Sequence, residues 1–145
     1  MNMTYSQSGI DFTKHFEGCK LSAYRDGGGV LTIGYGHIRN VKAGDVITQD
    51  QADKFLIADV ADAVDAVNDY VTVGLTQNQF NGLVDFTFNC GVGAFKGSTL
   101  LKLLNAGNVD AACDQLARWN QDNGVIVPGL KRRREAEQVL FNLVA

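Results

Sequence analysis

Two carboxyl side chains, Glu17 and Asp26, lie close together near the start of the chain, and the hydroxyl of Thr32 follows. Two carboxyls and a hydroxyl can hydrolyse a glycosidic bond. One acid protonates the leaving oxygen, and the other carboxylate works from the opposite side of the sugar as base or nucleophile. The hydroxyl can help hold the attacking water. Taken singly, each residue has a plainer reading. Glu17 follows Phe16 and precedes Gly18 at the C-terminal end of an amphipathic stretch, where the partial negative charge of a helix disfavours a carboxylate. That placement hints at function, but a lone surface charge explains it as well. Asp26 before Gly27 is ordinary turn chemistry, and Thr32 suits any half-exposed strand. The combination carries the chemical reading: helix end, hairpin entry and returning strand can all face one cleft.

The elements that must hold these groups follow from periodicity and capping signals. Ser8 and Asp11 resemble a capping box opening a short helix with Ile10, Phe12 and Phe16, which should stop near Gly18. From Leu21 to Val41 the strand formers Tyr24, Val30, Leu31, Ile33 and Tyr35 are punctuated by glycines, predicting a small antiparallel sheet that turns at Gly27-Gly28-Gly29. Helices follow to the end. Thr48 with Gln51 predicts one carrying Phe55, Ile57, Val60, Val64 and Val67, and Thr76 with Gln79 another carrying Phe80, Leu83, Val84 and Thr87. Ser98 or Thr99 should begin a short helix ended by Gly107, and Asp110 to Trp119 and Lys131 to Val144 supply two more. The last presents Ala136, Val139, Leu140 and Leu143 as an apolar stripe. The expected fold class is α+β and mostly helical, residues 1–145 forming a single domain. The long helix from about Gln49 would join a sheet lobe to a helical lobe, with a cleft between them.

Residues 18–25 separate Glu17 from Asp26, and residues 27–31 separate Asp26 from Thr32. This spacing, with Leu21, Ala23-Tyr24 and Thr32-Ile33-Gly34-Tyr35-Gly36-His37, resembles the phage-type lysozymes of glycoside hydrolase family 24. Their signature is a Glu, eight residues, an Asp (Cys in some members), five residues and a Thr. The resemblance continues through Phe88-Asn89-Cys90-Gly91-Val92-Gly93 and Gly97-Ser98-Thr99-Leu100-Leu101. It reaches Trp119, Gly129-Leu130, Arg132-Arg133-Arg134, Glu137 and Leu140. It implies a lysozyme-like fold and an endolysin cutting the β-1,4 bond between N-acetylmuramic acid and N-acetylglucosamine in bacterial peptidoglycan. Glu17 would be the general acid, Asp26 the carboxylate that activates water and steadies the sugar cation, and Thr32 a partner of that water or of Asp26. An inverting outcome is implied, with carboxyls roughly 6.5–9.5 Å apart. Phe88 and Asn89 would contact sugar, unless Phe88 is helix core. His37 would be structural. An arginine of the 132–134 run would turn toward the catalytic Glu. The resemblance also implies monomers made in the host cytoplasm, which reach the wall with the help of a separate holin. A virion-carried or secreted antibacterial lysozyme is the alternative within the class, and a catalytically silent peptidoglycan-binding protein the alternative outside it.

Composition excludes little else. A formal charge of −3 gives no global pull toward nucleic acid or anionic membrane. No stretch approaches the roughly 20 apolar residues of a membrane span, and the start has no run of signal-peptide length. Cys19, Cys90 and Cys113, with His15 and His37, stand at no metal-ligand offset, so neither metal nor organic cofactor is expected. Three free thiols fit a reducing compartment. Cys19 lies near Glu17 without a base beside it, which argues against a cysteine nucleophile. The basic run Lys131 to Arg134 reads as envelope binding, as a helix start neutralised by Glu135 and Glu137, or as support for the active site.

Overall fold

The computed structural model describes residues 2–143. They form seven α-helices, two two-stranded antiparallel hairpins and a 3-10 turn, and contacts cluster into two compact units. One unit is Ile10–Ala61; the other takes in, among the described residues, 2–9 and 62–143.

The Ile10–Ala61 unit holds most of α1 (Gln7–Glu17), the hairpin β1 (Lys20–Arg25) and β2 (Leu31–Gly34), and the first half of α2 (Gln49–Tyr70). The predicted Ser8–Asp11 box is displaced. The helix starts at Gln7, and Ser6 Oγ accepts from Gly9 N at 3.3 Å. The Thr48–Gln51 box forms in both directions, at 2.9 and 3.1 Å. The buried face of α2 differs from the predicted one. Ala52, Leu56, Val60, Ala63 and Val67 turn inward, while Ile57 is 53% exposed, because it lies about 100° around the helix from Leu56. Small Ala52 permits a close approach: a Cβ on Gly34, where φ is +63°, would meet Ala52 and Ile47 at 3.4 Å.

In the other unit α3 (Gln77–Cys90) starts from the predicted Thr76–Gln79 capping box. The helices α4 (Val92–Lys96), α5 (Thr99–Asn105), α6 (Val109–Gln115) and α7 (Pro128–Asn142) complete it, with a 3-10 turn at Leu116–Arg118 and the hairpin β3 (Gln121–Asp122) and β4 (Val125–Ile126). Phe80, Leu83, Val84 and Phe86 of α3 are fully buried, with Phe95, Leu100, Leu104, Leu116 and Phe141 from the surrounding elements. Ser98 caps α5, its Oγ accepting from Leu101 N at 3.0 Å.

The apolar stripe expected on α7 is not its buried face. Val139 and Leu143 are 64% and 50% exposed, whereas Arg133, Arg134, Glu137 and Phe141 are buried. The cause lies on α3, where Asp85 sits with no exposed surface among apolar neighbours and requires a countercharge. Arg133 supplies it, with Nε and Nη2 donating to the two Asp85 oxygens at 2.9 and 2.8 Å. Arg134 pairs with Glu137 at 2.6 Å. Gly82 lets the helices approach, since a Cβ there would stand 3.4 Å from the Glu137 carbonyl oxygen. The basic run therefore divides: Arg133 and Arg134 face inward, while Lys131 pairs with Glu135 on the surface at 3.9 Å.

Candidate active site

Glu17, Asp26 and Thr32 all belong to the Ile10–Ala61 unit. Glu17 is the last residue of α1 and is half-buried. A Cβ added to Gly36 would stand 3.0 Å from Glu17 Oε1. The carboxyl thus rests against backbone that only glycine leaves open, at a φ of +76° that also favours glycine. Gly36 closes a tight turn in which Ile33 and His37 exchange both backbone hydrogen bonds at 2.9 Å. His37 anchors the base of that turn: its Nδ1 lies 2.8 Å from Asp59 Oδ2, and its ring stacks on Phe55 with centroids 4.1 Å apart.

Asp26 and Thr32 meet at the backbone of one residue, Val30. Asp26 Oδ1 accepts from the backbone N–H groups of Gly28 and Val30, both at 2.9 Å. Asp26 N donates to the Val30 carbonyl at 3.0 Å, and Thr32 Oγ1 donates to the same carbonyl at 2.9 Å. Arg25 tightens the loop by donating to Gly29 O at 3.0 Å. One carboxylate oxygen is therefore held by the turn, while Oδ2 accepts nothing among the described residues. Thr32 is 4% exposed, and its hydroxyl hydrogen is committed to Val30, which leaves the oxygen as an acceptor. A carboxylate fixed through one oxygen, beside an accepting hydroxyl, can take both hydrogens of a water molecule.

Phe88 and Asn89 lie at the end of α3, in the other unit. Phe88 is half-buried and packs against the helical core. Asn89 Oδ1 accepts from Arg134 Nη2 at 2.8 Å, which directs its amide nitrogen away from the guanidinium. The nearby cavity, about 260 Å³, is lined by Asn89, Cys90, Arg118, Trp119, Gln121 and Leu130. Cys19 is exposed, Cys90 half-buried and Cys113 buried, all as free thiols. Among the described residues no cluster of three metal-ligating side chains forms, and no helix is long and apolar enough to cross a membrane.

The role of Arg134 in holding Asn89, and of Val30 in gathering Asp26 and Thr32, was not visible in the residue pattern. Both act through hydrogen bonds whose partners a linear motif does not reveal. The buried Asp85 did leave a signal, as the one acidic residue of the apolar run Leu83-Val84-Asp85-Phe86.

A mostly helical α+β fold with a small antiparallel hairpin is that of the lysozymes, a class of glycoside hydrolase. The Phage lysozyme family profile matches residues 14–137, and the chain belongs to that family. It is similar to an endolysin of Acyrthosiphon pisum secondary endosymbiont phage 1, with 43% identity over 96% of this chain and 98% of the relative. It is 46% identical to an endolysin of Bacillus phage PZA over 97% of its own length, but spans only about 55% of that relative. Among solved structures it resembles an endolysin from Escherichia coli O157:H7 phage FAHEc1, with a TM-score of 0.93, 42% identity, and coverage of 98% of this chain and 95% of the other.

Proposed function

We propose that this phage lysozyme hydrolyses the β-1,4 bond between N-acetylmuramic acid and N-acetylglucosamine in peptidoglycan, with Glu17 as acid and Asp26 as base. Residues 1–145 act in this reading as one lysozyme domain. Glu17 gives its proton to the glycosidic oxygen as the bond to the anomeric carbon breaks. Water enters from the opposite face, passes one hydrogen to Asp26 Oδ2 and donates the other to Thr32 Oγ1. The new bond to the anomeric carbon then forms with inversion. Asn89 offers its amide nitrogen, and Phe88 the exposed part of its ring, to the sugar chain. The observation that supports this reading most is that the backbone of Val30 bonds both side chains, Asp26 through its N–H and Thr32 through its carbonyl. The enzyme acts as a monomer made in the host cytoplasm and reaches the wall once a separate holin has opened the membrane.

Dye release from labelled peptidoglycan tests the assignment. Glu17→Gln and Asp26→Asn are each expected to lower the rate by about 10²–10⁴-fold, the usual share of an acid or base, with melting behaviour retained. Thr32→Ser should keep more activity than Thr32→Val. A Glu17→Gln protein that releases dye at the normal rate removes Glu17 from the mechanism.

A further inference from the structure

Four side chains of the Ile10–Ala61 unit close a ring that the reaction above does not use. Lys14 Nζ lies 3.0 Å from Asp53 Oδ1. Gln49 Nε2 donates to that same Asp53 oxygen at 2.9 Å and, with its second hydrogen, to the Tyr35 hydroxyl at 3.0 Å. The ring closes where the Lys14 ammonium stands 5.4 Å from the centroid of the Tyr35 ring. Tyr35 is 9% exposed, and its backbone forms the middle of the turn whose next residue, Gly36, abuts Glu17 Oε1. Lys14 lies one helical turn before Glu17 on α1. The ring thus joins the last turn of α1, the first turns of α2 and the tip of the glycine turn.

We propose that this ring is a positioning device for the Glu17 carboxyl, with Tyr35 its principal positioning residue. Tyr35 holds Gly36 in place, and the bare Gly36 backbone borders the space that Oε1 occupies. Resting on the assignment of Glu17 as the acid, this predicts that loosening the turn misdirects proton delivery without weakening the hold on substrate. The charges around the ring favour its persistence: the Lys14 ammonium beside Asp53, then the Gln49 amide, hold the Asp53 carboxyl below its ordinary range. The Asp53 hydrogen bond raises Lys14 in turn, against the smaller opposing effect of burial.

The chain has three glutamates, Glu17, Glu135 and Glu137, so protein labelled with ¹³C at the glutamate carboxyl carbon gives a spectrum simple enough to follow one of them. The Glu17 resonance is identified by its loss in Glu17→Gln. Tyr35→Phe, which removes only the hydroxyl, is expected to move that resonance, to leave those of Glu135 and Glu137 in place, and to lower kcat on peptidoglycan about fivefold with KM unchanged. Gly36→Ala, whose methyl would stand 3.0 Å from Oε1 and make it give by a few tenths of an ångström, should move the Glu17 resonance and lower kcat several-fold. Gly44→Ala controls for backbone strain, because Gly44 has a φ of +88° with nothing near its missing Cβ, and should keep full activity. A Tyr35→Phe enzyme with normal kcat, a loss confined to KM, or a lowered kcat with the Glu17 resonance unmoved overturns the proposal. A Glu17→Gln enzyme with normal activity instead defeats the acid assignment, whatever Tyr35→Phe does to the spectrum.

Discussion

Asp85→Asn is the substitution that most directly tests how the helical unit is held together. The side chain is replaced at nearly constant volume, so no cavity opens, but the charge opposite Arg133 disappears. Asp85 has no exposed surface and Arg133 only 5%, and the two share a bidentate contact at 2.8 and 2.9 Å. An asparagine oxygen can accept one of those bonds, while its amide hydrogens then face a guanidinium. Removing one partner of a buried pair costs about 3–5 kcal/mol, of which the Glu137 carboxyl, relieved of the adjacent Asp85 charge, offsets a part. For a chain of this size each kcal/mol moves Tm by about 2–4 °C, so a fall on the order of 10 °C or more is expected at pH 7. Calorimetry or circular dichroism reads it directly. The exposed i,i+4 pair of Lys54 and Asp50, at 3.1 Å, is the control; Lys54→Gln should leave Tm nearly unchanged. If Asp85→Asn melts no lower than Lys54→Gln, the Asp85–Arg133 pair does not hold α3 to α7, and the account of the α7 buried face fails with it.

The same cluster predicts a pH dependence. Burial, and next the adjacent Asp85 carboxyl, push Glu137 well above the ordinary carboxyl range. Below the unfolded value of about 4.5 the group is protonated in both states; as pH rises past it the unfolded chain releases a proton that the folded chain keeps. Stability should therefore fall by up to about 1.4 kcal/mol per pH unit until the folded value is reached, and Glu137→Gln should remove that slope in urea titrations across pH 4 to 8. A slope unchanged by the substitution would show that Glu137 is not its source. The thiols should react in order of exposure: Cys19 first, then Cys90 and Cys113, both raised chiefly by burial. Three groups should titrate under denaturing, non-reducing conditions, and a count of one would reveal a disulfide.

Local rules made much of this architecture legible. Two capping boxes, at Thr48 and Thr76, formed as their spacing predicts, because both partners lie within one helical turn. The hairpin from Lys20 to Gly34 was marked by its glycines and strand formers. The misses have identifiable causes. Asn123-Gly124, with φ of 50° and 78°, turns the hairpin β3–β4, yet strands of two residues offer no alternation to read. Helix α4 is likewise too short for periodicity to register. Pro128, a favoured first residue of a helix, begins α7 earlier than the predicted Lys131. The buried face of α7 was not legible because hydrophobic patterning assigns arginine to the surface, whereas a buried aspartate one helix away reverses that preference.

The two halves of the candidate site depend on backbone in different ways, which explains why the motif spacing was readable while its physical support was not. Asp26 and Thr32 are gathered by the N–H and C=O of Val30, whose own side chain is 45% exposed and makes no part of that grip. The identity of residue 30 is therefore weakly constrained by the site, although the spacing from Asp26 to Thr32 lets both side chains reach the backbone of that one residue. Glu17 is instead sensitive to what is missing, since a methyl at Gly36 would press on its carboxyl oxygen at 3.0 Å. A spacing rule captures the first kind of constraint and a conspicuous glycine the second. Neither reveals the Lys14, Asp53, Gln49 and Tyr35 ring, whose members come from α1, α2 and the turn and meet only when those elements pack. Candidate reacting groups can thus be proposed from order along the chain, whereas the contacts that surround them require the folded arrangement.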